Sequence, residues 1–127
     1  MITLEADFTK GRSRRIVRME PNLVEWLMTV PERQGPVTGP RHRERTESLR
    51  RAMGWAAWPK DVLRHSYGSY HLAHFRSAGD TAEQMGHQSS VMLHRHYREV
   101  VEPSAAAEYW AITPSNVRAA EAKVLEF

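Results

Sequence analysis

Prolines and glycines cut this chain into short pieces, and no apolar stretch between them is long. The seven prolines stand at 21, 31, 36, 40, 59, 103 and 114, and Gly11, Gly35, Gly39, Gly54 and Gly86 mark further breaks. Proline lacks a backbone N–H and clashes with the preceding helical turn, while glycine supplies the positive φ at which helices end. No apolar run approaches the roughly 18 residues of a membrane span, which excludes a transmembrane helix. The opening MITLEADFTKGRSRR has no apolar core, which excludes a signal peptide. The chain reads as cytoplasmic, with no membrane partner.

The segments between the breaks have recognisable periods. Residues 2–8 (ITLEADF) alternate as a strand does, Lys10-Gly11-Arg12-Ser13 has turn chemistry, and Arg15 to Met19 is again strand-like, so a β-hairpin is predicted. Pro21 opens a helix with Leu23, Trp26 and Leu27 on one face. Residues 31–40 form a loop. A polar, arginine-rich helix over 42–53 follows, then a break at GWAAWP with two tryptophans that look buried. One helix is predicted from Asp61, as its cap, to about Arg76. A short one over 79–85 is capped by Asp80 or Thr81 and ended by Gly86, and another is capped by Ser89 or Ser90 and runs to about Tyr97. Two more follow, Ala105 to Trp110 and one after Pro114. The fold class is therefore mainly α with a small N-terminal β-hairpin, in one domain: hairpin over 1–20, helical core over 21–101, tail helices over 102–127.

Composition narrows the chemistry. The absence of cysteine removes disulfides, thiolate zinc sites and cysteine nucleophiles together. Eighteen Lys and Arg against fifteen acids give a net charge of +3, unevenly spread. Lys10, Arg12, Arg14, Arg15 and Arg18 form one cluster, and Arg41, Arg43, Arg45, Arg50 and Arg51 another. Guanidinium donates paired hydrogen bonds to phosphate, so both clusters suit a nucleic-acid backbone; solvated faces are the equal alternative. His94 and His96, two apart, diverge on a helix, and His71 and His74 lack an evident third ligand, so no metal is expected. Trp26, Trp55, Trp58 and Trp110 read as core, and His65 as packing or site wall.

The informative stretch is 61–98, DVLRHSYGSYHLAHFRSAGDTAEQMGHQSSVMLHRHYR. It places Arg64 near a helix start, His87 after a glycine break and Tyr97 about one short helix later. Arginine binds phosphate, histidine donates to it and tyrosine can attack it, which sketches phosphoryl transfer through a tyrosine ester. Each residue also has an ordinary reading, as ion pair, cap or packing.

Leu63-Arg64-His65-Ser66, Gly86-His87 and His96-Tyr97 together resemble the catalytic signature of the tyrosine recombinase (phage integrase) family. The order and the intervals match, with 23 residues from Arg64 to His87 and ten from His87 to Tyr97. TKGRSRRIVRMEPNLVEWL resembles the family's β-hairpin, with Lys10 at its turn, and the helix after it. The resemblance covers roughly residues 2–112. It implies an α+β catalytic domain that cleaves and rejoins double-stranded DNA, in site-specific recombination or integration, without cofactor. Tyr97 is then the nucleophile, Arg64 and His87 the phosphate ligands and Lys10 the general acid, with Arg12, Arg14, Arg15, Arg41, Arg43 and Arg45 as contacts to DNA.

Two departures follow from the same resemblance. Asp61 occupies the position where the family usually has a catalytic histidine, with Lys60 beside it. The family's first arginine lies upstream of the hairpin, where this chain begins, so the sequence reads as N-terminally truncated and incomplete as an enzyme on its own. A lost clamp arginine costs roughly a hundredfold in rate by analogy with a lost oxyanion donor. The alternative function is a non-catalytic DNA-binding or protein-interaction remnant. The tail (Ala105, Ala106, Tyr109, Trp110, Ile112) can dock in cis or on a neighbouring protomer, and an exposed hairpin edge is a second route to self-association.

Overall fold

A computed structural model of the chain describes residues 1–8, 14–31, 34–35, 38–87, 89 and 101–124, with backbone alone at 8 and 120–124. The molecule is mainly helical with a small two-stranded antiparallel sheet. Strand β1 (Ile2–Leu4) pairs with β2 (Arg15–Val17) in the register Ile2↔Val17, Thr3↔Ile16, Leu4↔Arg15. The strand expected over 2–8 is therefore shorter, because the chain turns into a 3₁₀ helix at Ala6–Phe8. The hairpin turn around Lys10 lies outside the described residues.

Six α-helices are described: α1 (Pro21–Met28), α2 (His42–Ala52), α3 (Val62–Phe75), α4 (Ala78–Met85), α5 (Pro103–Trp110) and α6 (Pro114–Val124). Pro21, Pro103 and Pro114 each open a helix, where the missing N–H costs nothing. The tail helix accordingly starts at Pro103 rather than Ala105. The helix expected from Ser89 or Ser90 to Tyr97 lies outside the described residues.

Two caps differ from the sequence expectation. Asp61 stands at the N-cap of α3 but has φ 53° and makes no side-chain cap bond. Its left-handed backbone turns the chain out of the Trp58-Pro59 corner, so the carboxylate is exposed and does not cap. Helix α4 starts one residue earlier than expected and is capped by Ser77, whose Oγ accepts from Asp80 N–H at 3.2 Å. Serine wins because its short side chain reaches the third amide of the helix directly.

Helix α3 is the hub, packed against α4 and α5. Ala82 and Met85 of α4 form a small buried cluster against Tyr67 and Leu72 of α3. On the other side Trp110 of α5 lies among Tyr67, His71, His74 and Phe75, and its indole N–H donates to Tyr70 O at 3.2 Å. Tyr109 stacks on Tyr70 with centroids 4.2 Å apart, and Ala106 is fully buried. This part of the tail thus docks on its own chain.

The centre also contains polar groups that the sequence did not mark. His71 is fully buried, and its Nδ1 lies 2.8 Å from Thr81 Oγ1. Thr81 donates its own proton to Ser77 O at 2.8 Å, so its oxygen accepts from His71 and fixes the proton on Nδ1. Nε2 then faces Glu20 Oε1 at 3.9 Å, and Glu20, itself buried, accepts from Arg18 Nε at 3.2 Å. Trp26, by contrast, is not core: it is 39% exposed on α1 and donates to Ile112 O at 3.1 Å. Its neighbours Leu23 and Leu27 are also exposed. Trp55 and Trp58 are half-buried and meet edge to face at 5.3 Å. His65 is exposed rather than packed.

Candidate phosphate site at the end of helix α4

Helix α4 ends in a motif that positions the histidine after it. Gly86 takes φ 69°, its N–H donates to Glu83 O at 2.9 Å, and the His87 N–H reaches back to Ala82 O at 2.8 Å. These two bonds are those of a Schellman cap, which a left-handed glycine makes possible. They hold His87 tightly against the end of the helix.

The carbonyl of Met85 takes its hydrogen bond from Arg64 Nη2, at 2.8 Å. Arg64 sits in the first turn of α3, and the packing of α3 on α4, where Tyr67, His71 and Leu72 meet Thr81, Ala82 and Met85, carries its side chain to this end. A cation is also favoured there by the helix dipole. Among the described residues the other guanidinium donors of Arg64 have no hydrogen-bond partner.

A second cationic side chain arrives from the hairpin. The Arg18 N–H donates to Gln84 Oε1 at 3.1 Å, tying the end of β2 to α4. Arg15, at the start of β2, consequently lies across Gly86, where a Cβ would fall 1.3 Å from Nη1 and 2.5 Å from Cζ. Arg15 Nε and His87 Nδ1 are both buried without a hydrogen-bond partner among the described residues. Burial lowers the His87 pKa from its ordinary value, and the nearby Arg64 and Arg15 lower it further. Arg15, Arg64 and His87 thus converge, and no carboxylate pairs with either arginine among the described residues. Such an arrangement can bind an oxyanion through several directed donors at once.

The remaining candidates are distributed as follows. Asp61 is exposed and lines, with Arg64, Trp58 and Val62, an open depression of about 380 Å³ at the start of α3. Arg14 is exposed and pairs with Glu5 at 3.7 Å, and Arg41 pairs with Glu44 at 2.9 Å. Arg43 and Arg45 are exposed on α2 with no ion pair among the described residues. Arg50 is structural: it donates to the carbonyls of Trp55 and Ala56, closing the turn after α2. Tyr97, Lys10 and Arg12 lie outside the described residues. Of the described tyrosines, Tyr67 is pushed up to about 12 by burial and by Glu20, and burial raises Tyr109 as well, so both are held as neutral phenols. Sequence reasoning groups Arg15 with Lys10, Arg12, Arg14 and Arg18 in one basic cluster, and strand alternation sets it apart, on the face of Val17 rather than that of Arg14.

No protein-family model, characterised protein or solved structure matches the chain. Among the described residues no helix is long and apolar enough to cross a membrane.

Proposed function

We propose that this chain is a DNA strand-transferase domain of the tyrosine recombinase kind, acting on a phosphodiester held by Arg64 and His87. The observation that carries the reading is the meeting of these two side chains at the end of α4, although 23 residues separate them in sequence. In the reaction the Tyr97 hydroxyl attacks phosphorus and loses its proton to water, a 3′-phosphotyrosyl ester forms, and the P–O5′ bond breaks. Lys10 gives a proton to the departing 5′-oxygen. Arg64 and His87 donate to the non-bridging oxygens, where charge accumulates in the transition state. Reversal with a different 5′-hydroxyl rejoins the strand, so the bond energy is conserved and no external energy source is required.

Arg43 and Arg45, exposed on α2 and without an ion pair among the described residues, favour a second reading, a module that binds DNA without cutting it. The two readings separate on covalency. The protein is incubated with a pool of nicked, random-sequence duplexes, and adducts that survive detergent are collected. Strand transfer requires adducts that disappear in Tyr97→Phe. Salt-sensitive binding without any adduct, unchanged in Tyr97→Phe, selects the binding module instead.

A further inference from the structure

We propose that Arg15 is the second guanidinium of the phosphate clamp, so that Arg15, Arg64 and His87 together receive one phosphodiester group at the Gly86 turn. The inference rests on the reading of Arg64 and His87 as phosphate ligands and adds to it a residue on a separate structural element.

The neighbours of Arg15 make its position informative. Arg14 is paired with Glu5 at 3.7 Å and Arg18 with Glu20 at 3.2 Å, each an ordinary ion pair. Arg15, between them, has no acid partner among the described residues. Its guanidinium is instead laid over Gly86, with a buried Nε that donates to nothing described. Three of the last four carbonyls of α4 are already taken, Ala82 O by His87, Glu83 O by Gly86 and Met85 O by Arg64, and Arg15 donates to none of the four among the described residues.

The arrangement is electrostatically adverse in the absence of a ligand. Two guanidinium groups lie near enough to oppose protonation of His87, and the imidazole Nδ1 is buried without a partner among the described residues. Like charges held together with unsatisfied donors lower stability, and an anion between them removes both costs. A phosphodiester suits the site: two non-bridging oxygens offer lone pairs for two arginine forks and an imidazole, and its single charge needs only part of theirs. The hairpin therefore supplies a phosphate ligand of its own. Through the Arg18–Gln84 bond it sets Arg15 into the site.

The test uses the whole chain and dimethyl phosphate, the smallest phosphodiester, followed by nuclear magnetic resonance of the arginine Nε–H and histidine ring signals. Arg15, Arg64 and His87 signals are expected to shift together along one saturation curve. Arg15→Ala should weaken binding by about tenfold or more, the scale of a charge-assisted hydrogen bond. Arg14→Ala, which removes an equal charge next door, should change it little. Arg15→Gln keeps most of the stem over Gly86, so its loss of affinity with an unchanged melting curve supports a ligand role even if Arg15→Ala unfolds. If Arg64→Ala abolishes binding while Arg15→Gln and Arg15→Ala leave it intact, the proposal is overturned and the reading of Arg64 stands. If dimethyl phosphate shifts none of the three signals, both are overturned. Coupled shifts in a protein that never forms a Tyr97 adduct support the clamp and discard strand transfer.

Discussion

Arg64 Nη2 donates to the carbonyl of Met85 at 2.8 Å, joining the first turn of α3 to the last residue of α4. One side chain thereby satisfies a helix end and presents its remaining donors beside His87. Arg64→Ala removes both functions. Its structural cost should be modest, about 1 kcal/mol, because the side chain is largely exposed and water can replace it. Its cost to phosphodiester binding should be much larger. Arg64→Lys should restore part of the stability but little of the binding, since an ammonium cannot reproduce the planar fork. Urea midpoints and dimethyl phosphate titrations on the same samples compare the two effects; equal losses in both would make Arg64 a cap and nothing more.

Gly86 and Gly54 allow the Arg15 contact to be isolated. Both have φ 69°, but nothing lies within 4 Å of a Cβ at Gly54, whereas Arg15 occupies that space at Gly86. Gly54→Ala should therefore cost only the left-handed backbone penalty, roughly 1–2 kcal/mol. Gly86→Ala pays the same penalty and also expels the guanidinium, so it should be the more destabilised of the two. It should weaken phosphodiester binding as well, which Gly54→Ala should leave untouched. Identical losses of stability in the two variants, with binding retained, would place Arg15 elsewhere in solution.

The element order was legible in the sequence because Pro21, Gly54, Gly86, Pro103 and Pro114 act through the local backbone. The polar centre was not. In the sequence His71 is only half of a histidine pair and Glu20 only the residue before Pro21, because burial depends on Thr81, Arg18 and Trp110, which the chain brings together in space. The apolar face of α1 failed in the opposite sense: periodicity shows that Leu23, Trp26 and Leu27 share a side, not that anything covers it. For the candidate site, motif order pointed to Arg64 and His87 but treated Arg15 as one cation in a cluster. Only the hairpin register and its tie to Gln84 separate Arg15 from Arg14.

Thr81 is the residue whose loss should expose the polar centre. Its hydroxyl accepts from His71 Nδ1 and donates to Ser77 O, each at 2.8 Å. Thr81→Val preserves the shape and leaves the wholly buried His71 without its Nδ1 partner, while Ser77 O keeps the backbone N–H of residue 81, for an expected cost of about 1–3 kcal/mol. Thr81→Ser retains the hydroxyl and should recover most of that. A Val variant as stable as the parent in denaturant titration would mean that water reaches His71.

Buried His71 and half-buried His87 set the acid side of stability. Burial lowers the His71 pKa from 6.5 against the opposing pull of Glu20, and burial with Arg64 and Arg15 lowers that of His87. Between the lowered and ordinary values the unfolded chain holds more protons than the folded one, so acid favours unfolding. The two groups contribute fully above the ordinary histidine pKa of about 6.5, and their contribution falls as pH drops through the lowered values. His87→Gln should reduce the steepness of this loss without removing it, because His71 remains. Melting temperatures across about pH 8 to 5 test this, and a stability that rises on acidification would reverse the assignment for both.

Phosphodiester binding should show the opposite response to pH. A bound anion offsets Arg64 and Arg15 and favours the imidazolium of His87, so binding takes up a proton when His87 starts neutral. Affinity for dimethyl phosphate, which keeps one negative charge throughout, should therefore increase as pH falls from about 8 toward 5, by up to roughly tenfold for each unit that the anion raises the His87 pKa. Denaturation limits the accessible acid range, so binding is read only where the circular dichroism spectrum is unchanged. His87→Gln should bind with a flat profile, and His71→Gln, provided it folds, should keep the slope because His71 lies in the core, bonded to Thr81. An affinity independent of pH in the parent protein, or a slope that survives in His87→Gln, would remove His87 from the anion site and leave the two arginines to hold it.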